Sequence, residues 1–148
     1  MDRGSQQCLT PATFTDLPHN DRLHLASVLV VDDQPDVLEA LRLLLKGQGF
    51  EVETALDGET ALRAVSRDMF EAMLLDLRMT LLDGLELLRR LRTLPTCHDT
   101  PVAIVTGNYF IDNAVLDELS RLGAIVRYKP LWGDDITLIR TLVASQHD

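Results

Sequence analysis

The sequence predicts an α/β fold, a doubly wound parallel five-stranded sheet assembled from five βα units. Three observations lead there. Short apolar runs alternate with segments of helical period from Ser27 onward, and short continuous apolar runs belong to strands covered on both faces, as in parallel sheets flanked by helices. Most of these runs stop abruptly at a polar residue, and Gly, Pro or Asp-Gly signals separate the units. The length of 148 residues, with 46% hydrophobic and 25% charged residues, suits one domain with a real core.

The first strand is residues 28–31, too short for a helix and ending in Asp32-Asp33. Pro35 then suits the first turn of a helix whose apolar stripe is Val37, Leu38, Leu41, Leu44 and Leu45. Gly47 and Gly49 stop that helix. Residues 50–55 alternate like a strand with one face less buried, which suggests an edge position. Asp57-Gly58 turns into a helix over about residues 59–67, and the apolar run 72–75 is a third strand ending at Asp76. A third helix, about 84–92, is ended by Pro95. Residues 102–105 form a fourth strand ending at Thr106-Gly107. The fourth helix runs from about 112 to 122 with Gly123 as its C-cap. Residues 124–128 are the fifth strand, Lys129-Pro130 breaks it, and Asp134-Asp135 suit the start of a last helix reaching about Ser145. Residues 1–26, with Pro11, Pro18 and no sustained hydrophobic period, are expected to be a flexible tail, leaving 27–146 as the folded domain.

Composition excludes several functions. With 14 basic and 23 acidic residues the net charge is −9, which opposes sequence-independent attraction to nucleic-acid phosphates or anionic lipid. Direct nucleic-acid binding and membrane association are not expected. Cys8 and Cys97 lie far apart without ligand spacing, so a reducing compartment is the simpler inference. No apolar run approaches the roughly 18 residues of a membrane span and no signal-peptide pattern opens the chain, which makes a cytoplasmic location the expectation.

Right-handed crossovers bring the carboxyl ends of all five strands to one edge of the sheet, where such folds bind ligands. The polar residues at those ends are Asp32, Asp33, Asp76, Thr106 and Lys129. Taken singly, each has a plainer reading as a cap, a turn residue or a solvated charge. Their coincidence at four strand ends does not. Carboxylates a few ångströms apart repel by roughly 4 kcal/mol per pair at an effective dielectric near 20, so a hard divalent cation, Mg2+, is the natural partner of the cluster. A phosphoryl group transferred onto a carboxylate also needs a hydroxyl donor and a fixed cation. Thr106 and Lys129 supply them, and Lys129 is one of only two Lys beside 12 Arg.

With these residues in view, the chain resembles a response-regulator receiver domain of bacterial two-component signalling. The resemblance is carried by Val30-Val31-Asp32-Asp33, the Ala55-x-Asp57-Gly58-x-x-Ala61 turn, Leu75-Asp76-Leu77-Arg78-Met79-x-x-x-Asp83-Gly84, Thr106-Gly107, Gly123-Ala124 and Lys129-Pro130. It implies a flavodoxin-like strand order 2-1-3-4-5. It implies Asp76 as phosphoacceptor, Mg2+ held by Asp32, Asp33, Asp76 and the Arg78 backbone carbonyl, and Thr106 and Lys129 on the phosphoryl group. It also implies a regulator that assists its own phosphorylation and dephosphorylation rather than an enzyme, with a sensor histidine kinase or phosphotransfer protein as donor. A downstream protein partner is expected, homodimerisation being left open. Only 18 residues follow Pro130, so the expectation is a stand-alone receiver.

Three departures from the family pattern stand out. Thr80 occupies a position where the family commonly has Pro, in the loop after Asp76 and expected to touch no ligand. Gly123 and Lys129 are one residue closer than usual, so the switch aromatic three before the Lys is Val126. Tyr128, adjacent to Lys129, is expected on the other side of the sheet. Tyr109, Phe110, Tyr128 and Trp132 crowd the ends of the fourth and fifth strands, and any that core packing leaves exposed would mark a partner surface. Two other readings fit less well. A haloacid-dehalogenase-type phosphatase needs a DxD nucleophile after the first strand, where this chain has Asp32-Asp33-Gln34, and a flavodoxin-like electron carrier needs a hydroxyl- and glycine-rich loop there. A receiver fold used only as an interaction module, without phosphorylation, would leave the acidic triad, Thr106 and Lys129 unexplained.

Overall fold

The computed structural model describes residues 25–144. The expected tail, except Leu25 and Ala26, lies outside the described residues, as do Cys8 and Ser145. The elements follow in strict alternation: β1 (Ser27–Val31), α1 (Pro35–Gly47), β2 (Glu51–Ala55), α2 (Gly58–Arg67), β3 (Ala72–Leu75), α3 (Gly84–Arg92), β4 (Val102–Thr106), α4 (Asn113–Arg121), β5 (Ala124–Tyr128) and α5 (Gly133–Ala144). All strand pairs are parallel and the order is β2-β1-β3-β4-β5. The edge position expected for the second strand is therefore correct. Phe50, expected inside that strand, instead precedes it as a buried side chain packed with Leu41 and Leu45.

The two faces of the sheet carry separate cores, sorted by the period-2 alternation of strands. Val28, Val30, Ala72, Leu74, Ala103 and Val105 pack with Leu38, Leu41 and Leu45 of α1 and Ile136, Ile139 and Val143 of α5. Leu29, Val31, Met73, Leu75, Val102 and Ile104 pack on the opposite face with α2, α3 and Leu119 of α4. Side chains of β1, β3 and β4 are thus buried on both faces, which is why these strands read as unbroken apolar runs.

Local chemistry sets the helix starts. Asp57 caps α2 by accepting from the Thr60 N–H at 2.7 Å, and Asp83 caps α3 by accepting from the Glu86 N–H at 2.9 Å, each satisfying one of the orphan donors of a first turn. The Thr60 hydrogen bond holds the Asp57 carboxyl below its usual range. At the end of α4, Gly123 adopts φ 81° and its N–H reaches the Ser120 carbonyl at 2.9 Å, a left-handed exit that glycine makes without strain.

Candidate functional site

The sheet ladder continues one residue beyond the strands and thereby places the site. Asp76 N–H donates to the Val31 carbonyl at 2.8 Å, Asp32 N–H to the Ala55 carbonyl at 3.2 Å, and Lys129 N–H to the Thr106 carbonyl at 2.9 Å. Carried one step past each strand, the alternation that points Val30, Leu74 and Ile125 toward α1 and α5 turns Asp32, Asp76 and Lys129 the same way. Five residues separated by up to 97 positions meet at the carboxyl edge of three neighbouring strands and β5.

Asp32 and Asp76 are buried, Asp33 is half-buried and Thr106 is 1% exposed. One carboxylate oxygen from each of Asp32, Asp33 and Asp76 lies within 4.8 Å of the others. The Lys129 ammonium sits 2.6 Å from Asp32 Oδ2 and 3.6 Å from Asp76 Oδ1, and the Gln34 N–H donates to Asp32 Oδ1 at 3.0 Å. Both oxygens of Asp32 are therefore engaged. Burial pushes the Asp76 carboxyl up, reinforced by the charges of Asp32 and Asp33, while Lys129 and the Arg78 backbone amide pull it down. A buried carboxylate among like charges wants a cation or a proton.

The donor set fits Mg2+: hard oxygens, several carboxylates converging on one point, and a side open to solvent. An open depression of about 470 Å³ lies above the cluster, lined by Asp76, Arg78, Thr106, Lys129 and neighbours, so a phosphoryl-sized group can reach Asp76. Arg78, whose carbonyl the resemblance adds to the ligand set, lines the same depression. A larger groove of about 520 Å³ opens beside it between the loops that follow β3 and β4, and Asp33 lies on its wall.

Backbone packing holds Asp76 from below. A Cβ on Gly84 would stand 2.3 Å from the Asp76 carbonyl oxygen, so the start of α3 can lie against Asp76 only as glycine. Sequence reasoning found Gly84 as a motif residue but not this contact.

The structure corrects one expectation and bears out another. Thr80 does touch the acidic cluster: its N–H donates to Asp33 Oδ2 at 3.2 Å. Every residue except Pro offers a backbone N–H, so the only signal for this contact was that a residue other than Pro stands at position 80. Tyr128 lies, as expected, on the opposite side of the sheet from its neighbour Lys129, which puts it on the face of Val126. It is in register with Thr106, as Val126 is with Ile104, and registered neighbours project to one face. Its ring stacks on Tyr109 with centroids 4.8 Å apart and planes at 14°. Val126 packs against the core shared with α3 and α4.

Comparison with known proteins agrees with this geometry. The profile of the family described as "Response regulator receiver domain" matches residues 28–125. The "Transcriptional regulatory protein PrrA" of Mycobacterium tuberculosis is 41% identical over 88 residues, covering 60% of this chain and 37% of that protein. "Response regulator MprA" of Mycobacterium leprae is 42% identical over 88 residues. The chain thus matches little more than a third of the length of these curated relatives. Among solved structures, the chemotaxis protein CheY4 of Vibrio cholerae is 29% identical with a TM-score of 0.71, covering 80% of this chain and 97% of that one. A CheY-like response regulator receiver domain protein of Methanospirillum hungatei reaches a TM-score of 0.76 at 25% identity, covering 84% and 98%. The strand order, the clustered carboxylates and the extent of the match agree, and the chain belongs to the response regulator receiver domain family.

Proposed function

We propose that this receiver domain accepts a phosphoryl group on Asp76 from the phosphohistidine of a sensor histidine kinase or phosphotransfer protein and thereby switches a protein partner. The single observation that carries the reading is the gathering of Asp76, Asp32, Asp33, Thr106 and Lys129 from four strand ends around one open depression. In the transfer, a carboxylate oxygen of Asp76 attacks phosphorus, the P–N bond to the donor imidazole breaks, and the imidazole retains the bond's electron pair and takes up a proton.

Bound Mg2+ would neutralise charge on the carboxylates and on the phosphoryl oxygens. Asp33 and Asp76, with the Arg78 carbonyl, would hold it, and Asp32, tied to Lys129 and Gln34, would act as an outer orienter. Lys129 lies close enough to Asp76 to follow one phosphoryl oxygen as a point charge. The Thr106 hydroxyl, which accepts from the Asn108 N–H at 3.1 Å, retains its own proton to donate to another. Charge stabilisation and positioning are the contributions this chemistry asks of a protein.

Tyr109, Phe110 and Trp132 are exposed at the same end of the domain, which supports a protein partner there. No helix among the described residues is long and apolar enough to cross a membrane.

Incubation with acetyl phosphate and Mg2+, followed by intact-mass measurement, tests the reading. The mass should rise by one phosphoryl group, and Asp76→Ala should abolish the gain. An undiminished gain in Asp76→Ala, or none in the unmodified protein with any donor, overturns it.

A further inference from the structure

The loop between β3 and α3 is fixed at both ends. Leu82 is buried with its side chain over Gly58, where an added Cβ would stand 2.4 Å from Leu82 Cδ2, and Gly84 N–H donates to the Leu77 carbonyl at 2.9 Å. Between these anchors the chain makes a three-residue turn. Leu82 N–H donates to the Thr80 carbonyl at 2.8 Å, and Leu81, at its centre, takes φ 68°, a conformation that leucine adopts at a cost. Leu81 is fully exposed, so no packing of its own side chain draws it there. The consequence of the turn lies on its other side, where the Thr80 N–H meets Asp33 Oδ2 at 3.2 Å.

Asp33 needs such a partner. It is the carboxylate of the three with the most solvent access, it faces the charges of Asp32 and Asp76, and Lys129 is taken up by those two. Without an attractive contact, a half-buried carboxylate swings away from like charges into water.

We propose that Thr80 is a positioning residue for the metal site: its backbone N–H holds Asp33 within the carboxylate cluster before the cation arrives. The role belongs to the amide and not to the hydroxyl. It rests on the proposed Mg2+-assisted phosphoacceptor function, and its test separates the two. Any residue with an N–H at position 80 supports the contact, and proline alone removes it.

Mg2+ affinity is measured by NMR titration of the whole chain for the unmodified protein, Thr80→Ala and Thr80→Pro, with thermal unfolding of each as a check on folding. Thr80→Ala should bind Mg2+ within two-fold of the unmodified protein, whereas Thr80→Pro should bind about three- to ten-fold more weakly, the size of one hydrogen bond. Equal affinity in Thr80→Pro and Thr80→Ala, or tighter binding in Thr80→Pro, overturns the inference while leaving the phosphoacceptor reading intact. Absence of Mg2+ binding in the unmodified protein overturns that reading itself. Should Thr80→Pro fail to fold, hydrogen exchange at the Thr80 amide decides: it should be slower in the unmodified protein than in Asp33→Ala, and equal rates overturn the proposal.

Discussion

The Lys129 ammonium lies 2.6 Å from Asp32 Oδ2 and 3.6 Å from Asp76 Oδ1, so one cation bridges the carboxylates at the ends of β1 and β3. Both carboxylates are almost fully buried, which makes this bridge unlike a surface ion pair. Lys129→Ala should therefore destabilise the metal-free domain by about 2–3 kcal/mol, since it strands two like charges in a poorly solvated pocket. Added Mg2+ replaces part of the missing charge. Denaturant unfolding with and without Mg2+ measures this, and a deficit as large with Mg2+ as without it would contradict the bridging role.

Asp76 gives a pH-dependent prediction. Its folded-state pKa is raised, first by burial and then by Asp32. A raised carboxyl pKa means that the folded state holds the proton more tightly than the unfolded state does. Its contribution to stability is full below the unfolded value and is lost as pH rises through the folded value. At neutral pH without Mg2+, Asp76→Asn should accordingly raise the unfolding midpoint by a few degrees. That advantage should shrink as the pH falls toward the ordinary carboxyl range, where Asp76 also becomes neutral. Thermal scans at pH 7.5 and pH 5 decide it, and an advantage that grows on acidification would refute it.

Asp32 and Asp33 are adjacent yet differently employed. Asp32 is 1% exposed and accepts from Lys129 and Gln34, whereas Asp33 is half-buried on the groove wall with the Thr80 amide as its partner. Asp33→Ala should weaken Mg2+ binding several-fold more than Asp32→Ala, because losing a direct oxygen ligand costs more than losing an orienter. Stability should order the other way. Asp32→Ala leaves Lys129 and the Gln34 amide without their acceptor, at a cost of about 1–3 kcal/mol. Calorimetric Mg2+ titration and urea unfolding of both variants check the crossed order, and equal Mg2+ losses would remove the distinction.

Strands β1, β3 and β4 were legible in the sequence because burial on both faces leaves an unbroken apolar run with a polar stop. Those stops are also the site, so Asp32, Asp76 and Thr106 could be read from the same pattern. Strand order was not legible from periodicity, since crossovers fix handedness but not neighbours, and it came from the resemblance. The side of the sheet that Tyr128 takes was legible from its adjacency to Lys129, since alternation turns it away from Lys129 and onto the face of Val126, but its stacking on Tyr109 had no local signal. The Thr80 contact was out of reach for a different reason: it is made by backbone, and its geometry depends on a leucine at positive φ in a turn that no local residue preference announces.

The last prediction concerns the route from phosphorylation to the surface. Thr106 Oγ1 accepts from the Asn108 N–H at 3.1 Å, and the Asn108 side chain both accepts from the Phe110 N–H and donates to the Phe110 carbonyl, each at 3.1 Å. From the same loop, the Tyr109 hydroxyl donates to the Lys129 carbonyl at 3.0 Å while its ring stacks on Tyr128. A Thr106 hydroxyl drawn toward a phosphoryl oxygen on Asp76 would change the angle and distance it offers Asn108, and Tyr109 would carry that change to the end of β5. A bound group shifts a two-state element only through contacts that differ between the states, and among these residues Thr106 is placed to make them. Thr106→Ala should still be phosphorylated but respond weakly, and Tyr109→Phe should loosen the coupling of the loop to Lys129. Val126→Ala should leave both phosphorylation and response intact while costing stability of about 1–3 kcal/mol as a packing residue. Amide hydrogen exchange with and without a phosphoryl mimic reads the route directly. Protection should change together in residues 107–112 and at Tyr128 and Lys129. A change at Val126 and Tyr128 with residues 107–112 unaltered would show that the signal leaves Asp76 by another path.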